Sequence, residues 1–191
     1  MHRVRIRDGA QVDVRPIEPG DKDAMRDGFA RLSPESRYER FLSPLDQLSN
    51  SMLRYFTEVD HHDHEALVAF DPSDGRALGV ARYVREEDSE VAEAAIIVAD
   101  DWHGRGLGTA LLEELAERAR EEGIQRFTAI VLARNEEMID MLFRLGPAKV
   151  VDRSNGTVQI EADLPAAGVS DQLRALLRMA AEMTKRFRPK P

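Results

Sequence analysis

The segment His103-Gly104-Arg105-Gly106-Leu107-Gly108-Thr109 narrows the possible folds more than any other part of the chain. It follows a strand-like apolar run, Val91 to Val98, and the short stretch Ala99-Asp100-Asp101-Trp102. It opens a helix in which Leu111, Leu112, Leu115, Ala116 and Ala119 share one face until Gly123 stops it. A turn placed this way presents unpaired backbone N–H groups and the positive end of the helix dipole, which together make an anion site. Three alternating glycines let the backbone approach a phosphate, and Arg105 could add a cation beside it. Two nucleotide-binding patterns fail. A dinucleotide fold needs G-x-G-x-x-G in a βαβ unit, and a P-loop needs a lysine after its last glycine; this segment has G-x-G-x-G and no lysine after Gly108. What remains is a pyrophosphate-bearing ligand of another kind.

The rest of the sequence alternates strand-like and helix-like periods, the pattern of an α/β or layered α+β domain. Val12 to Ile17 alternates as a strand, and Pro19-Gly20-Asp21 then opens a helix carrying Ala24, Met25, Gly28, Phe29 and Leu32. Ser33-Pro34-Glu35 sets a capping side chain before a proline at the first helical position, predicting a second helix to about Leu42. After the break at Ser43-Pro44, a third spans about Gln47 to Phe56. Glu65 to Phe70 and Ala77 to Val84 form a hairpin across Asp71-Pro72-Ser73-Asp74-Gly75. Phe127 to Leu132 is a further strand, Glu136 to Leu145 a helix, and Lys149 to Asp152 with Thr157 to Ala162 two closing strands.

Composition limits the function classes. The chain has 191 residues, a net charge of -8 and no cysteine, so disulfides, thiolate metal sites and a cysteine nucleophile are excluded. The acidity argues against a nucleic-acid binder. No run is apolar enough to span a membrane or to serve as a signal peptide, and a cytoplasmic location is expected. Residues 1–164 read as the domain and 165–191 as a linker followed by a basic amphipathic helix. That helix carries Leu173, Leu176, Leu177, Ala180 and Phe187 at helical spacing; it could pack on its own body, form a homodimer or contact a partner.

Ile96-Ile97-Val98-Ala99-Asp100-Asp101-Trp102-His103-Gly104-Arg105-Gly106-Leu107-Gly108-Thr109-Ala110-Leu111-Leu112 resembles motif A of the GNAT (Gcn5-related N-acetyltransferase) superfamily, Q/R-x-x-G-x-G/A. Gly106 and Gly108 match, and His103 stands where Gln or Arg is usual. Asn135 with its following helix resembles the next motif, although the usual Gly-Phe is Gly146-Pro147 here. Arg15-Pro16-Ile17, Arg31 to Phe41 and Ala92 to Val98 are similar to the protein-lysine acetyltransferase (Pat-type) branch. The resemblance covers Val12 to Ala162. It implies a mostly antiparallel mixed sheet of roughly six or seven strands flanked by helices, with the C-terminal helix as an addition.

The resemblance also implies the chemistry: a neutral amine attacks the thioester of acetyl-CoA directly in a ternary complex. Glu93 corresponds to the catalytic glutamate and is the candidate general base, needed because lysine's ordinary pKa is about 10.4. By position alone Glu93 would read as a solvated residue, since Glu86, Glu87, Asp88 and Glu90 flank it. Acetyl-CoA would be held by Ile96, Ile97, Val98, His103, Gly104, Arg105, Gly106, Leu107, Gly108, Thr109 and Asn135. A backbone N–H near Ile97 or Val98 would hold the oxyanion. Where many members carry a thiolate-protonating Tyr, the corresponding position is Leu142. The acceptor is expected to be a protein lysine; a small amine and a non-catalytic acyl-CoA-binding module are the alternatives. His61-His62-Asp63-His64-Glu65 has the composition of a metal site, but a sequential run rarely converges on one ion, so it reads as a polar loop and no metal is expected.

Overall fold

Eight strands form one sheet, described for residues 1–87 and 89–164 in a computed structural model of the chain. The expected C-terminal helix lies outside the described residues. In chain order the elements are β1 (His2–Arg5), β2 (Gln11–Pro16), α1 (Lys22–Arg31), α2 (Pro34–Phe41), α3 (Asn50–Thr57), β3 (His64–Phe70) and β4 (Ala77–Arg85). There follow β5 (Val91–Val98), α4 (Leu107–Glu121), β6 (Arg126–Leu132), α5 (Glu136–Leu145), β7 (Ala148–Ser154) and β8 (Thr157–Asp163). The sheet order is β1-β2-β3-β4-β5-β6-β8-β7. Neighbours are antiparallel except β5 and β6, which run parallel.

The resemblance implies six or seven strands and the patterning marks seven; the eighth is β1 at the edge. Its Arg3 and Arg5 face water, and Arg3 forms an ion pair with Asp13 of β2 at 2.8 Å. A short strand so rich in arginine is a protected edge, since exposed charge discourages pairing with another chain.

Helices cover both faces. On one, Leu107, Leu111, Leu112 and Leu115 of α4 and Leu142 of α5 pack on Ala92, Ala94, Phe127 and Ile160 of the sheet. On the other, Phe29 of α1 joins Leu32, Leu48, Leu53 and Phe56 around α3, and Ile97 of β5 packs against this group. With both faces covered, β4 reads as an almost continuous apolar run, Ala77 to Tyr83, interrupted only by the buried Arg82.

Candidate active site

The site begins where β5 and β6 part. Their pairing covers only Val91, Ala92 and Glu93 opposite Arg126, Phe127 and Thr128. Beyond Glu93 the strands diverge, while β5 continues in unbroken register along β4 as far as Val98 opposite Gly79. Ala99 N donates to Leu78 O at 2.8 Å and Glu86 N to Val91 O at 3.0 Å, so the two-residue period of the ladder turns the N–H groups of Ile96 and Val98 toward the gap. The N–H of Ile97 points to β4. Of the two amides considered for an oxyanion, that of Val98 is the one facing open space.

The gap widens into a cleft of about 320 Å3. Glu93 to Val98, Trp102, His103, Gly104, Gly106, Leu107, Gly108, Thr109 and Asn135 all line it. At its far end the glycine turn feeds α4. Gly106 is the N-cap at φ 95 and supplies no capping side chain. The first intrahelical bond runs from Ala110 N to Gly106 O at 3.1 Å, which leaves the N–H groups of Leu107, Gly108 and Thr109 without intrahelical partners. A Cβ on Gly108 would sit 3.1 Å from Met141 Sδ, another lining residue, so the glycine lets α5 pack closely on the first turn of α4. His103 Nε2 lies 2.9 Å from Val98 O. A carbonyl only accepts, so Nε2 carries the proton, and the side chain at the unusual signature position fastens the turn to β5.

Two expected site residues have other commitments. Arg105 lies outside the cleft lining. Its guanidinium stacks on the Trp102 ring at 3.8 Å and bonds Asp8 at 2.6 Å, and that hydrogen bond helps hold the Asp8 carboxyl below the usual range. The Asn135 side chain accepts from Met138 N at 3.0 Å as the α5 cap and donates to Glu39 at 3.2 Å. Leu142 is fully buried in the core, and its neighbour Met141 faces the cleft.

The structure adds charged residues to which the sequence reading gave no role. Glu39 and Arg40 enter from α2, Arg7 from the loop between β1 and β2, and Glu137 and Arg144 from α5. With Glu93, the cleft holds three carboxylates and three guanidiniums, so it is not the uniformly acidic pocket that the net charge suggests. The α2 segment carries part of the resemblance to the Pat-type branch, but which of its side chains reach the cleft is set by tertiary packing.

Helix α2 is fixed from the glycine side. Ser33 caps it, accepting from Ser36 N at 3.1 Å. Asp100, just before the turn, accepts from Ser33 N at 2.7 Å and from Ser36 Oγ at 2.6 Å. Burial raises the Asp100 pKa, but the bonds from Ser36 and Ser33 outweigh it and hold the carboxyl below its ordinary value.

Behind α2 lies Arg82, only 5% exposed. It stacks on Phe56 at 4.5 Å, donates to Phe56 O at 3.1 Å and meets His64 Nε2 at 2.9 Å. Burial first, and then the neighbouring Arg40, push its pKa down to about 9. His64 is pushed down to about 4 by burial and then by Arg82, so at neutral pH it is the uncharged acceptor for that guanidinium. Elsewhere in the histidine run, His61 bonds the buried Glu65 at 2.8 Å and His62 contacts Glu122. Among the described residues no three His, Asp or Glu side chains converge as a metal site requires. Nor does any helix among them have the length and apolarity to cross a membrane.

Comparison with known proteins agrees with this geometry. Residues 27–146 match the model of the acetyltransferase (GNAT) family. Acetyltransferase Pat of Mycolicibacterium smegmatis is 37% identical over 85% of this chain, which spans 48% of that protein's length. The crystal structure of the GNAT domain of S. lividans PAT superposes with a TM-score of 0.78 at 35% identity, covering 85% of this chain and 96% of that one. An L-methionine sulfoximine/L-methionine sulfone acetyltransferase of Pseudomonas aeruginosa is 34% identical over 54% of this chain and 61% of its own length. With the glycine turn, the parted strands and the sequence match in agreement, the chain belongs to the GNAT acetyltransferase family.

Proposed function

We propose that the protein transfers an acetyl group from acetyl-CoA to an amine, with a protein lysine as the favoured acceptor and Glu93 as the general base. The observation that carries this reading is the parting of β5 and β6, which places Glu93 at one end of the cleft and the open N–H groups of α4 at the other. The first-turn amides of α4 suit the pyrophosphate, and the gap suits an extended pantetheine arm beside β5. The unpaired N–H of Val98 is the donor for the oxyanion of the tetrahedral intermediate.

In this scheme the amine nitrogen attacks the thioester carbon, the C–S bond breaks, and coenzyme A leaves as a thiolate that takes a proton from water. The proton lost by the amine passes to Glu93, directly or through one water, since Glu93 is exposed to the cleft. With no cysteine in the chain, an acyl-cysteine intermediate has no place. No side chain is assigned as acid for the thiolate, because Leu142 stands where the usual tyrosine would and carries no ionisable group.

The resemblance to the Pat-type protein-lysine branch, to which the similarity to Acetyltransferase Pat adds, supports the lysine acceptor. Similarity to the methionine sulfoximine/sulfone acetyltransferase supports a second reading with a small amino-acid acceptor. The test measures CoA release with acetyl-CoA against lysine proteins and amino acids, for the natural chain and Glu93→Gln. Glu93→Gln is expected to lower kcat by about 10²- to 10⁴-fold and leave acetyl-CoA affinity nearly unchanged. Undiminished turnover in the variant removes Glu93 from the mechanism.

A further inference from the structure

Arg40 lines the cleft near Glu93 and Arg82 lies buried near it, and among the described residues neither has a carboxylate within ion-pair distance. Arg40 lies in the last turn of α2, half-buried, with its guanidinium 5.0 Å from the Phe41 ring. It lines the cleft with Glu93. Among the described residues it makes no hydrogen bond and has no carboxylate within ion-pair distance. Among the described residues, the buried Arg82 near it bonds only a backbone carbonyl and the neutral His64, and stacks on Phe56. Burial holds Arg40 below the ordinary arginine value, against the opposing charge of the more distant Glu93.

Such an arrangement is costly, because a desolvated cation without a partner loses hydration and gains no ion pair in return. It also bears on the reaction. A protonated amine approaching Glu93 passes a guanidinium of its own sign, which disfavours acceptors that are purely cationic. An acceptor carrying a carboxylate near the reacting amine reverses both effects. Its anion pairs with Arg40, whose planar fork suits a carboxylate, while the amine remains beside Glu93.

We infer that Arg40, backed by Arg82, is a docking group for a carboxylate of the acceptor, positioned next to the amine that Glu93 deprotonates. This rests on the acetyl-transfer reading above and narrows its substrate class. The carboxylate has two chemical sources: the α-carboxylate of a free amino acid, or an acidic side chain adjoining a lysine in a polypeptide. Polyamines and other wholly cationic amines are selected against.

The test uses matched acceptors that differ only in that charge: L-lysine against L-lysinamide, and capped lysine peptides with Glu or with Gln beside the lysine. The natural chain is expected to prefer the carboxylate member of at least one pair by about tenfold or more in kcat/KM, the factor a charge-assisted hydrogen bond supports. The pair that responds identifies the source. In Arg40→Met the ratio is expected to fall to about one, and in Arg40→Lys, which loses the fork, to fall severalfold. A ratio near one for both pairs in the natural chain overturns the inference. So does a ratio that Arg40→Met leaves unchanged or, should that variant not fold, one that Arg40→Lys leaves unchanged. Calorimetric binding of the same acceptors to the CoA-bound protein needs no turnover. Arg40-dependent preference without CoA release keeps the docking group and removes the transfer reading; CoA release without preference does the reverse.

Discussion

A Cβ on Gly106 would lie 2.6 Å from the Arg7 Cβ, so the glycine turn and the loop between β1 and β2 are in direct backbone-level contact. Further bonds hold the two together. The Arg7 side chain donates to Gly104 O, Asp8 N donates to Arg105 O at 3.3 Å, and Arg105 Nε donates to Asp8 at 2.6 Å. Gly106→Ala must therefore move the loop as well as tolerate φ 95. We expect it to destabilise the protein by about 1–3 kcal/mol and to weaken acetyl-CoA binding about tenfold. Gly104→Ala is the control: its φ is 67, but nothing lies within 4 Å of the added Cβ. Its cost should stay near ~1 kcal/mol. Thermal melting and calorimetry measure both, and equal effects would show that the Arg7 contact is irrelevant.

Much of this architecture is legible in local pattern. The span of β5 and that of α5 can be read from period and flanking turns alone, because each is bounded by residues with strong conformational preferences. Strand β1 is hidden in the pattern because its arginines conceal the alternation that places Val4 and Ile6 inward. The glycine turn between a strand and a helix is legible as a candidate anion site, but the local geometric demands on Gly106 and Gly108 appear only in the tertiary structure. The commitments of Arg105, Asn135 and Arg40 cannot be read this way. Each depends on a partner far along the chain or on the lack of one, and only the tertiary arrangement settles which.

Asp100 ties the segment just before the glycine turn to the start of α2 through Ser33 and Ser36. Asp100→Ala removes both bonds from the start of α2, at a cost of about 1–3 kcal/mol. The KM for the acceptor should rise more than the Kd for acetyl-CoA, because α2 carries Glu39 and Arg40. The folded carboxyl has a pKa below its ordinary value of 3.8, so its stabilising bonds are fully present above that pH and lost as pH falls through the folded value. Asp100→Asn should lack this acid limb in pH-dependent unfolding, and an identical limb in both proteins would contradict the assignment.

Arg144 lines the cleft from the last turn of α5 and is exposed. As a rim cation facing a polyanionic ligand, it should contribute modestly and in a salt-dependent way. Arg144→Ala is expected to raise the acetyl-CoA Kd about two- to fivefold at low salt and to flatten its dependence on ionic strength. Titrations at two salt concentrations decide this; an equal loss at both would place Arg144 in packing instead of long-range attraction.

His64 should make the acceptor side sensitive to acid. Its Nε2 accepts from Arg82, and Tyr55 stacks against its ring at 4.9 Å, so protonation would remove the acceptor and set a second cation beside a buried guanidinium. With a folded pKa of about 4 against 6.5 unfolded, the unfolded chain binds more protons between these values. Stability is therefore fully present above about 6.5 and declines as pH falls toward 4. His64→Gln keeps an acceptor without a titrating group, so its urea midpoint should fall less than that of the natural chain between pH 7.5 and pH 5, roughly the range over which an unperturbed histidine titrates. Parallel curves would mean that His64 does not govern this limb.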